Sequence, residues 1–535
     1  MCELVYMLGY RTTSSFYSIS FHKMIPVEIT SKVGLVLQYK KNNNIIMAYT
    51  KREFLKIMGL GLVFMPFIGC FNSESKKEEG HSGIGAAGVN EDKGNETIDV
   101  TEADVLMLTR NDEAYEKFNQ GFNKRLHFLP KYIAICKTEK GIQFAIRKAR
   151  EEKLQVAVKS GGHSFEGFSS NNGGMVINLS QMKKITWLEN NEVEVEPGCL
   201  LQDIQAAFFA KKRLLPAGSC GTVGIAGLTL GGGYGFFSRK YGLTCDNLLQ
   251  LKMIAADGKV YDTAEDKELL WACKGGGNGN FGVVTSFRFR THDMPPAFDS
   301  YVLKFRSMDA AKFEQTINAW FDVSEKLPQD GFAAYVLNNN TLTVLITNYN
   351  HHADFSNIIL PLTSIADTVS PTLQADLPKA MKRYYGRKGP IYFKNASAGL
   401  YQGKDDILKI KDSLFNTVLQ NKGIVFQINT LGGMIADAAF EQSSCYPHRH
   451  LPYLGELQAY WDNESQEAKL VAAFENIQTL FREGGVTAHY RNYPDINFKD
   501  WEASYYGDNY ARLQKVKSRY DKEEMFRYPQ SVRPA

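Results

Sequence analysis

The chain has 535 residues, 44% of them hydrophobic and 22% charged, a balance that excludes a disordered or fibrous protein and calls for more than one core. Its formal charge is +4, and the residues before Cys70 hold eight Lys/Arg against three acids, so the remainder is close to neutral and nucleic acid is not an expected ligand. Eight cysteines without a CxxC pair count against a disulfide framework and a structural zinc.

Residues 1–46, ending in KKNNNII before Met47, read as an extension upstream of the natural start. Residues 47–70 read as a signal peptide: Lys51, Arg52 and Lys56 precede an apolar stretch from Ile57 to Ile68, too short to span a bilayer. TKREFLK resembles a twin-arginine signal with lysine in the first place, the route for proteins folded around a cofactor before export. FIGC resembles a bacterial lipobox, which would make Cys70 the lipidated first residue; the alternative is an ordinary cleaved signal in which Cys70 is incidental. The expected location is therefore the periplasm or cell envelope, with a lipid anchor at Cys70 as the only membrane link. Residues 71–101, dominated by Ser, Lys, Glu and Gly, read as a solvated linker.

From 102 to 295, helix and strand patterns mix. AIRKAREEKL is helical, QVAVKS and GMVINLS are short apolar strands, EVEVEPG alternates as a strand, and LQDIQAAFFAKKR has helical spacing. The strand in QVAVKS runs into KSGGHSFEGFSS, a polar glycine turn presenting His163, which taken alone reads more readily as a capped turn histidine than as a ligand. Glycine then stands at 218, 221, 224, 227, 231, 232, 233 and 235, a density that costs up to about 1 kcal/mol per residue relative to alanine in regular structure. The offsetting gain is close approach of backbone N–H groups to a pyrophosphate or a large planar cofactor; a set of tight turns is the alternative. GNGNFG at 277–282 matches GxGxxG literally but precedes the strand-like VVTSFRFR, so it is not a nicotinamide site, and no GxxxxGK[ST] exists for a P-loop.

From 296 to 485 the strands DSYVLKF, GFAAYVL and TLTVLIT, the last two separated by the turn signal NNN, alternate with the helical patterns AAKFEQTINAWFDVSEKL and EAKLVAAFENIQTLF. An antiparallel sheet backed by helices fits this order.

Five stretches carry a family resemblance, in register: KSGGHSFEGFSS; LPAGSCGTVGIAGLTLGGGYGFFSRKYGLTCDN; LLWACKGGGNGNFGVVTSFRFR; HYRNYPD; and WEASYYGDNYARLQKVKSRYDKEEMFRYPQSV. Together they resemble the berberine-bridge-enzyme-like FAD oxidoreductases, from Glu113 to Val532. The resemblance implies an α+β protein: a two-part FAD-binding domain of the p-cresol-methylhydroxylase type over 102–295 and 486–535, and an α+β substrate domain over 296–485. It implies FAD linked covalently through His163 to the flavin 8α-methyl and through Cys220 to C6. It implies FAD contacts from Ser160, Gly161, Gly162 and Ser164, then Gly218, Thr222, Gly227 and Gly232, then Gly282 and Val284, and finally Asn492. Val223 maps beside the flavin, where a small side chain favours access of oxygen. The chain departs from the family at Lys159, where arginine is common, and at Gly221, where proline usually follows the cysteine. It departs again at Leu228, where histidine is frequent, and at Lys522, where proline is usual.

Oxidation of an alcohol or hemiacetal needs a base for the hydroxyl proton. CYPHRHLPYLGELQAYW resembles the family's PHR…Y…Q/E…W stretch and puts Glu456 where the family carries a glutamate or glutamine near the flavin. On an extended strand Glu456 and Gln458 share a face, and a solvated edge-strand glutamate is the alternative. HYRNYPD matches the family's YxNYxD; read as a strand it sets Tyr490 and Asn492 on one face and turns Tyr493 the other way. Tyr490 is the expected phenolic base or hydrogen-bond partner, with Glu456 assisting or replacing it, and a tyrosine in this role needs a nearby cation or donor. No metal is expected. The implied function is an oxidase moving hydride from an alcohol or hemiacetal carbon of a sugar or oligosaccharide to FAD, with O2 as acceptor and H2O2 as product. The alternatives are a flavin dehydrogenase using a quinone or carrier, and a non-catalytic carbohydrate-binding surface lipoprotein.

Overall fold

The computed structural model describes residues 100–535 apart from His351 and Ala353. Of the earlier residues it gives only the backbone of two strand pairs, Phe16–Tyr17 with Pro26–Val27 and Val36–Lys41 with Asn43–Ala48. Beyond those strands, the upstream extension, the signal peptide, Cys70 and the linker up to residue 99 lie outside the described residues. Among the described residues no helix is long and apolar enough to cross a membrane.

Three larger sheets position the site. In the first, Tyr132–Cys136, Met175–Asn178 and Val156–Lys159 run parallel, and Val105–Leu108 adds an antiparallel edge. Their runs YIAIC, MVIN and VAVK are almost uniformly apolar, as strands covered on both faces require. The helix Glu139–Glu151 packs there through Ile142, Ala145, Ile146 and Ala149, and Thr138 caps it by accepting from the Gly141 N–H at 3.2 Å.

The second sheet is antiparallel, in the order Val260–Asp262, Leu248–Ile254, Val283–Arg290, Glu192–Val195, Ile185–Trp187. Val193 and Val195 turn into its core while Glu192 and Glu194 stay half-exposed. GNGNFG leads into the strand Val283–Arg290, not into a helix.

The third is a seven-stranded antiparallel sheet: Thr368–Ala375, Phe298–Phe305, Thr341–Asn348, Gly331–Asn338, Ile424–Thr430, Tyr453–Trp461, Tyr392–Tyr401. NNN does make the hairpin turn, with Asn339 at φ +52. Helices Ala310–Lys326, Lys411–Gln420 and Glu467–Glu483 cover one face. On that face Leu457, Ala459, Trp461, Phe426, Ile428 and Ala396 meet Trp320, Phe415 and Phe474 in one apolar core. The intervening residues of the same strands therefore point the opposite way.

After Val486 the chain returns to the first two sheets. Leu513, Val516, Tyr520 and Val532 join the core of the second, and Phe526 that of the first. The fold is thus α+β, with an antiparallel sheet backed by helices standing beside the two-sheet part.

Candidate active site

The GGHS turn leaves strand Val156–Lys159 with Gly162 at φ +69. A Cβ on Gly161 would come within 2.4 Å of the Gly224 nitrogen, and one on Gly224 within 2.2 Å of Ser160 Oγ, so the two segments pack backbone to backbone. Ser160 Oγ donates to the Pro197 carbonyl at 2.6 Å, and Ser164 Oγ accepts from the Phe168 N–H at 2.9 Å. Lys159 anchors the base of the turn by donating from Nζ to the carbonyls of Phe118, Asn119 and Gln120 at 2.8, 3.2 and 2.7 Å. Burial lowers its pKa to about 8.

His163 and Cys220 meet at one hydroxyl. Thr222 Oγ1 lies 2.9 Å from His163 Nε2 and 3.8 Å from Cys220 Sγ. The His163 ring stacks on Phe122 at 4.0 Å, and burial drops its pKa to about 3, so the imidazole is neutral at physiological pH. With Nε2 engaged, Nδ1 is the nitrogen left to act as a nucleophile. Cys220 is half-buried, and burial raises its thiol pKa. A neutral imidazole and a thiol from separate loops, beside glycines that bring two backbones together, fit an FAD held at two points.

The segment leading into strand Tyr392–Tyr401 of the third sheet braces both loops. The Tyr385 carbonyl accepts from the Gly221 N–H at 3.0 Å, and Ile391 exchanges bonds with Phe122 O (3.0 Å) and Lys124 N (2.8 Å). Residues 385–391 thus connect the loop bearing Cys220 to the ring on which His163 stacks.

The glycine run 231–233 is closed from the far end of the chain. Tyr490 Oη accepts from the Gly233 N–H at 2.8 Å and from Asn492 Nδ2 at 3.1 Å. Asn492 Nδ2 also donates to Leu228 O at 2.9 Å, and its Oδ1 stands 2.0 Å from where a Gly231 Cβ would sit. At Gly232, whose φ of +124 favours glycine, a Cβ would press on the rings of Tyr446 and Tyr490 at 3.0 to 3.2 Å. Gly227 O accepts from Asn278 Nδ2 at 2.6 Å. A Cβ on Gly218 would meet Leu201 and Leu228 at ordinary distance, one on Gly282 would come within 2.5 Å of the Ile254 carbonyl, Val223 is half-buried beside Cys220, and Val284 lies in the second sheet's core.

The third sheet turns a buried polar face to this region. Glu456 and Gln458 share it, since the intervening Leu457 is in the helix-side core. Burial pushes the Glu456 pKa up to about 8, with Gln458 a hydrogen-bonding neighbour that partly offsets it. Opposite Glu456 stand Gln427 and Ser397, and opposite Gln458 stands Asn395. Glu456 is thus no solvated edge residue: its strand has a neighbour on each side.

The reading of Tyr493 as turned away is corrected. Residues 486–500 form no strand; Tyr493 N–H donates to Tyr490 O at 3.0 Å in a turn, which brings the i and i+3 side chains together. The two rings lie 5.0 Å apart, Tyr493 Oη is 3.0 Å from Tyr234 Oη, and Tyr234 Oη accepts from Asn429 Nδ2 at 3.2 Å. Burial raises the pKa of Tyr234, Tyr490 and Tyr493, and the Glu456 charge adds to the rise at Tyr234 and Tyr493. Tyr490 has two donors but no cation. Sequence reasoning passed over Tyr234, Gln427, Asn429, Asn395 and Tyr460 and misplaced Tyr493. Polar residues at alternate positions of the apolar IVFQINT were the available signal.

Two glycine-bearing loops that bring His163 and Cys220 together, a returning C-terminal segment and an antiparallel sheet backed by helices define a fold of the p-cresol-methylhydroxylase flavoprotein type. Family profiles match an FAD binding domain over residues 130–264 and a berberine and berberine-like segment over 489–533. The chain is 30% identical over 452 residues to the uncharacterized FAD-linked oxidoreductase YgaK of Bacillus subtilis (strain 168), covering 80% of this chain and 96% of that one. It is 28% identical over 467 residues to a xylooligosaccharide oxidase of Thermothelomyces thermophilus, covering 81% and 93%. The solved structure of Physcomitrella patens BBE-like 1 shares the fold at TM-score 0.74 and 22% identity, over 81% of this chain and 97% of that one. The chain belongs to the berberine-bridge-enzyme-like FAD-linked oxidoreductases.

Proposed function

We propose that this enzyme oxidises a CH–OH carbon of a sugar or oligosaccharide, with FAD carried on His163 and Cys220 and with O2 as the final acceptor. The observation that carries the reading is the buried sheet face on which Glu456 stands among carboxamides and tyrosines. That face suits a ligand with many hydroxyls, and the likeness to a xylooligosaccharide oxidase supports the substrate class. When bound, FAD supplies the hydride acceptor and, on reoxidation by O2, yields hydrogen peroxide. His163 and Cys220 tether it, Thr222 orients both side chains, and Tyr490 and Asn492 hold the glycine run in place. Glu456 takes the proton of the reacting hydroxyl. Its pKa of about 8 lies close to neutral pH, whereas each neighbouring tyrosine is raised above its ordinary value.

The test is anaerobic mixing of holoenzyme with glucose, cellobiose and xylobiose, followed by oxygen uptake. Bleaching of the flavin band and peroxide equal to the sugar oxidised are expected. Bleaching by aromatic alcohols alone would overturn the substrate class, and reoxidation by quinone but not by oxygen would make the enzyme a dehydrogenase. Yellow colour retained in acid-precipitated protein, with flavin masses on the peptides of His163 and Cys220, is the expected sign of the double linkage.

A further inference from the structure

Two acceptors on the polar sheet face have no partner. Gln458 Oε1 and Asn395 Oδ1 are buried and make no hydrogen bond, and their residues are only 1% and 5% exposed. They belong to directly opposed residues of adjacent strands, Gln458 on Tyr453–Trp461 and Asn395 on Tyr392–Tyr401. Both face the side that Glu456 and Tyr460 occupy. Tyr460 lies within electrostatic reach of both Glu456 and Cys220, so this pair stands at the site and not elsewhere on the sheet.

The other end of each amide is engaged within the protein. Gln458 Nε2 donates to Gln427 Oε1 at 3.2 Å, Gln427 Nε2 to Asn429 Oδ1 at 2.8 Å, and Asn429 Nδ2 to Tyr234 Oη at 3.2 Å. Asn395 Nδ2 donates to Tyr460 Oη at 2.9 Å. Three carboxamides thus form a relay in which each spends one N–H within the protein, with a bare carbonyl oxygen at the Gln458 end, and a fourth amide presents a second beside it. Buried acceptors rarely stay unpaired in a native fold, so the complement is a ligand that brings hydrogen-bond donors.

We infer that Gln458 Oε1 and Asn395 Oδ1 form a subsite accepting hydrogen bonds from two neighbouring hydroxyls of the substrate. The enzyme then selects a polyhydroxylated ring over a simple alcohol. The inference rests on the proposed function and deepens it: Glu456 handles the reacting hydroxyl, and the amide pair reads those next to it. Loss of one donor from the ligand weakens binding without altering the chemical step, whereas loss of the Gln458 amide also removes a hydrogen bond that lowers the Glu456 pKa and so slows proton transfer.

The probes are glucose, 2-deoxyglucose and 3-deoxyglucose, read by anaerobic flavin reduction on holoenzyme. The expected result is a KM for at least one deoxy sugar about five- to twentyfold above that for glucose, with kcat within about threefold. Gln458→Leu and Asn395→Leu are expected to raise the glucose KM by a similar factor. Each should leave unchanged the KM for the deoxy sugar whose missing hydroxyl it would have met, and should retain flavin. Equal KM values for all three sugars on unaltered enzyme overturn the inference while leaving sugar oxidation intact. Variants that shed flavin at unchanged KM also overturn it, by assigning the oxygens to the cofactor. If no sugar bleaches the flavin and an aromatic alcohol does, the proposed substrate class and this subsite fall together. The deoxy sugars decide the matter on unaltered enzyme even if a variant fails to fold.

Discussion

Glu456→Gln tests the proton-transfer step directly. The wild-type carboxyl titrates at about 8 because it stands buried among uncharged groups. About one site in ten is then ionised at pH 7 and about one in a hundred at pH 6. The free-enzyme profile of kcat/KM for flavin reduction should therefore climb about tenfold per pH unit up to about pH 8 and level off above it. The amide keeps the size and loses the base, so Glu456→Gln should fall about 10²- to 10⁴-fold on the plateau and lose the slope. A second readout is stability. Between its unfolded pKa of 4.5 and about 8, the native carboxyl keeps a proton that the unfolded one has released, so stability falls as pH rises through that window. Denaturant unfolding at pH 5 and 8.5 should show this loss, about 4 kcal/mol from this group, in wild type and not in Glu456→Gln. A wild-type limb that keeps rising beyond pH 9, preserved in Glu456→Gln, would refute the reasoning and return the role to a tyrosine.

Three further outcomes are expected. Thr222→Val removes the hydroxyl shared by His163 and Cys220 and should lower the fraction of protein carrying covalent flavin, measured by mass spectrometry of the intact chain, while Thr222→Ser restores it. Lys394→Met strips the cation from a buried cluster in which Nζ pairs with Glu166 and, at 2.8 Å, with Asp495; a loss of about 3 to 5 kcal/mol in urea unfolding is expected, partly recovered by adding Asp495→Asn. Gly231→Ala drives a methyl onto Asn492 Oδ1 and should cost about 1 to 3 kcal/mol and weaken flavin retention, which a thermal melt and the ratio of flavin to protein absorbance check together.

Local pattern made much of the fold legible. VVTSFRFR is a strand over Val283–Arg290, AAKFEQTINAWFDVSEKL a helix over Ala310–Lys326, and NNN a hairpin turn, because each follows from spacing within a few residues. The pairing of Gln458 with Glu456 was legible for the same reason: strand alternation depends on nothing distant. Tyr493 was misread because HYRNYPD has strand-like spacing, while the fold bends it into a turn beneath Tyr234, 259 residues earlier. The bare oxygens of Gln458 and Asn395 were invisible to any local rule. Their partners on neighbouring strands decide which atom is left over.

The bonds that close the glycine run come from Tyr490 and Asn492, and those that seal residues 277–280 come from Lys517 and Tyr528. All four of these residues follow the last strand of the three sheets in the sequence. A chain cut upstream of Tyr490 keeps His163 and Cys220 but not the clasp. Such a truncation is expected to hold less flavin than the full chain, however well its sheets have formed.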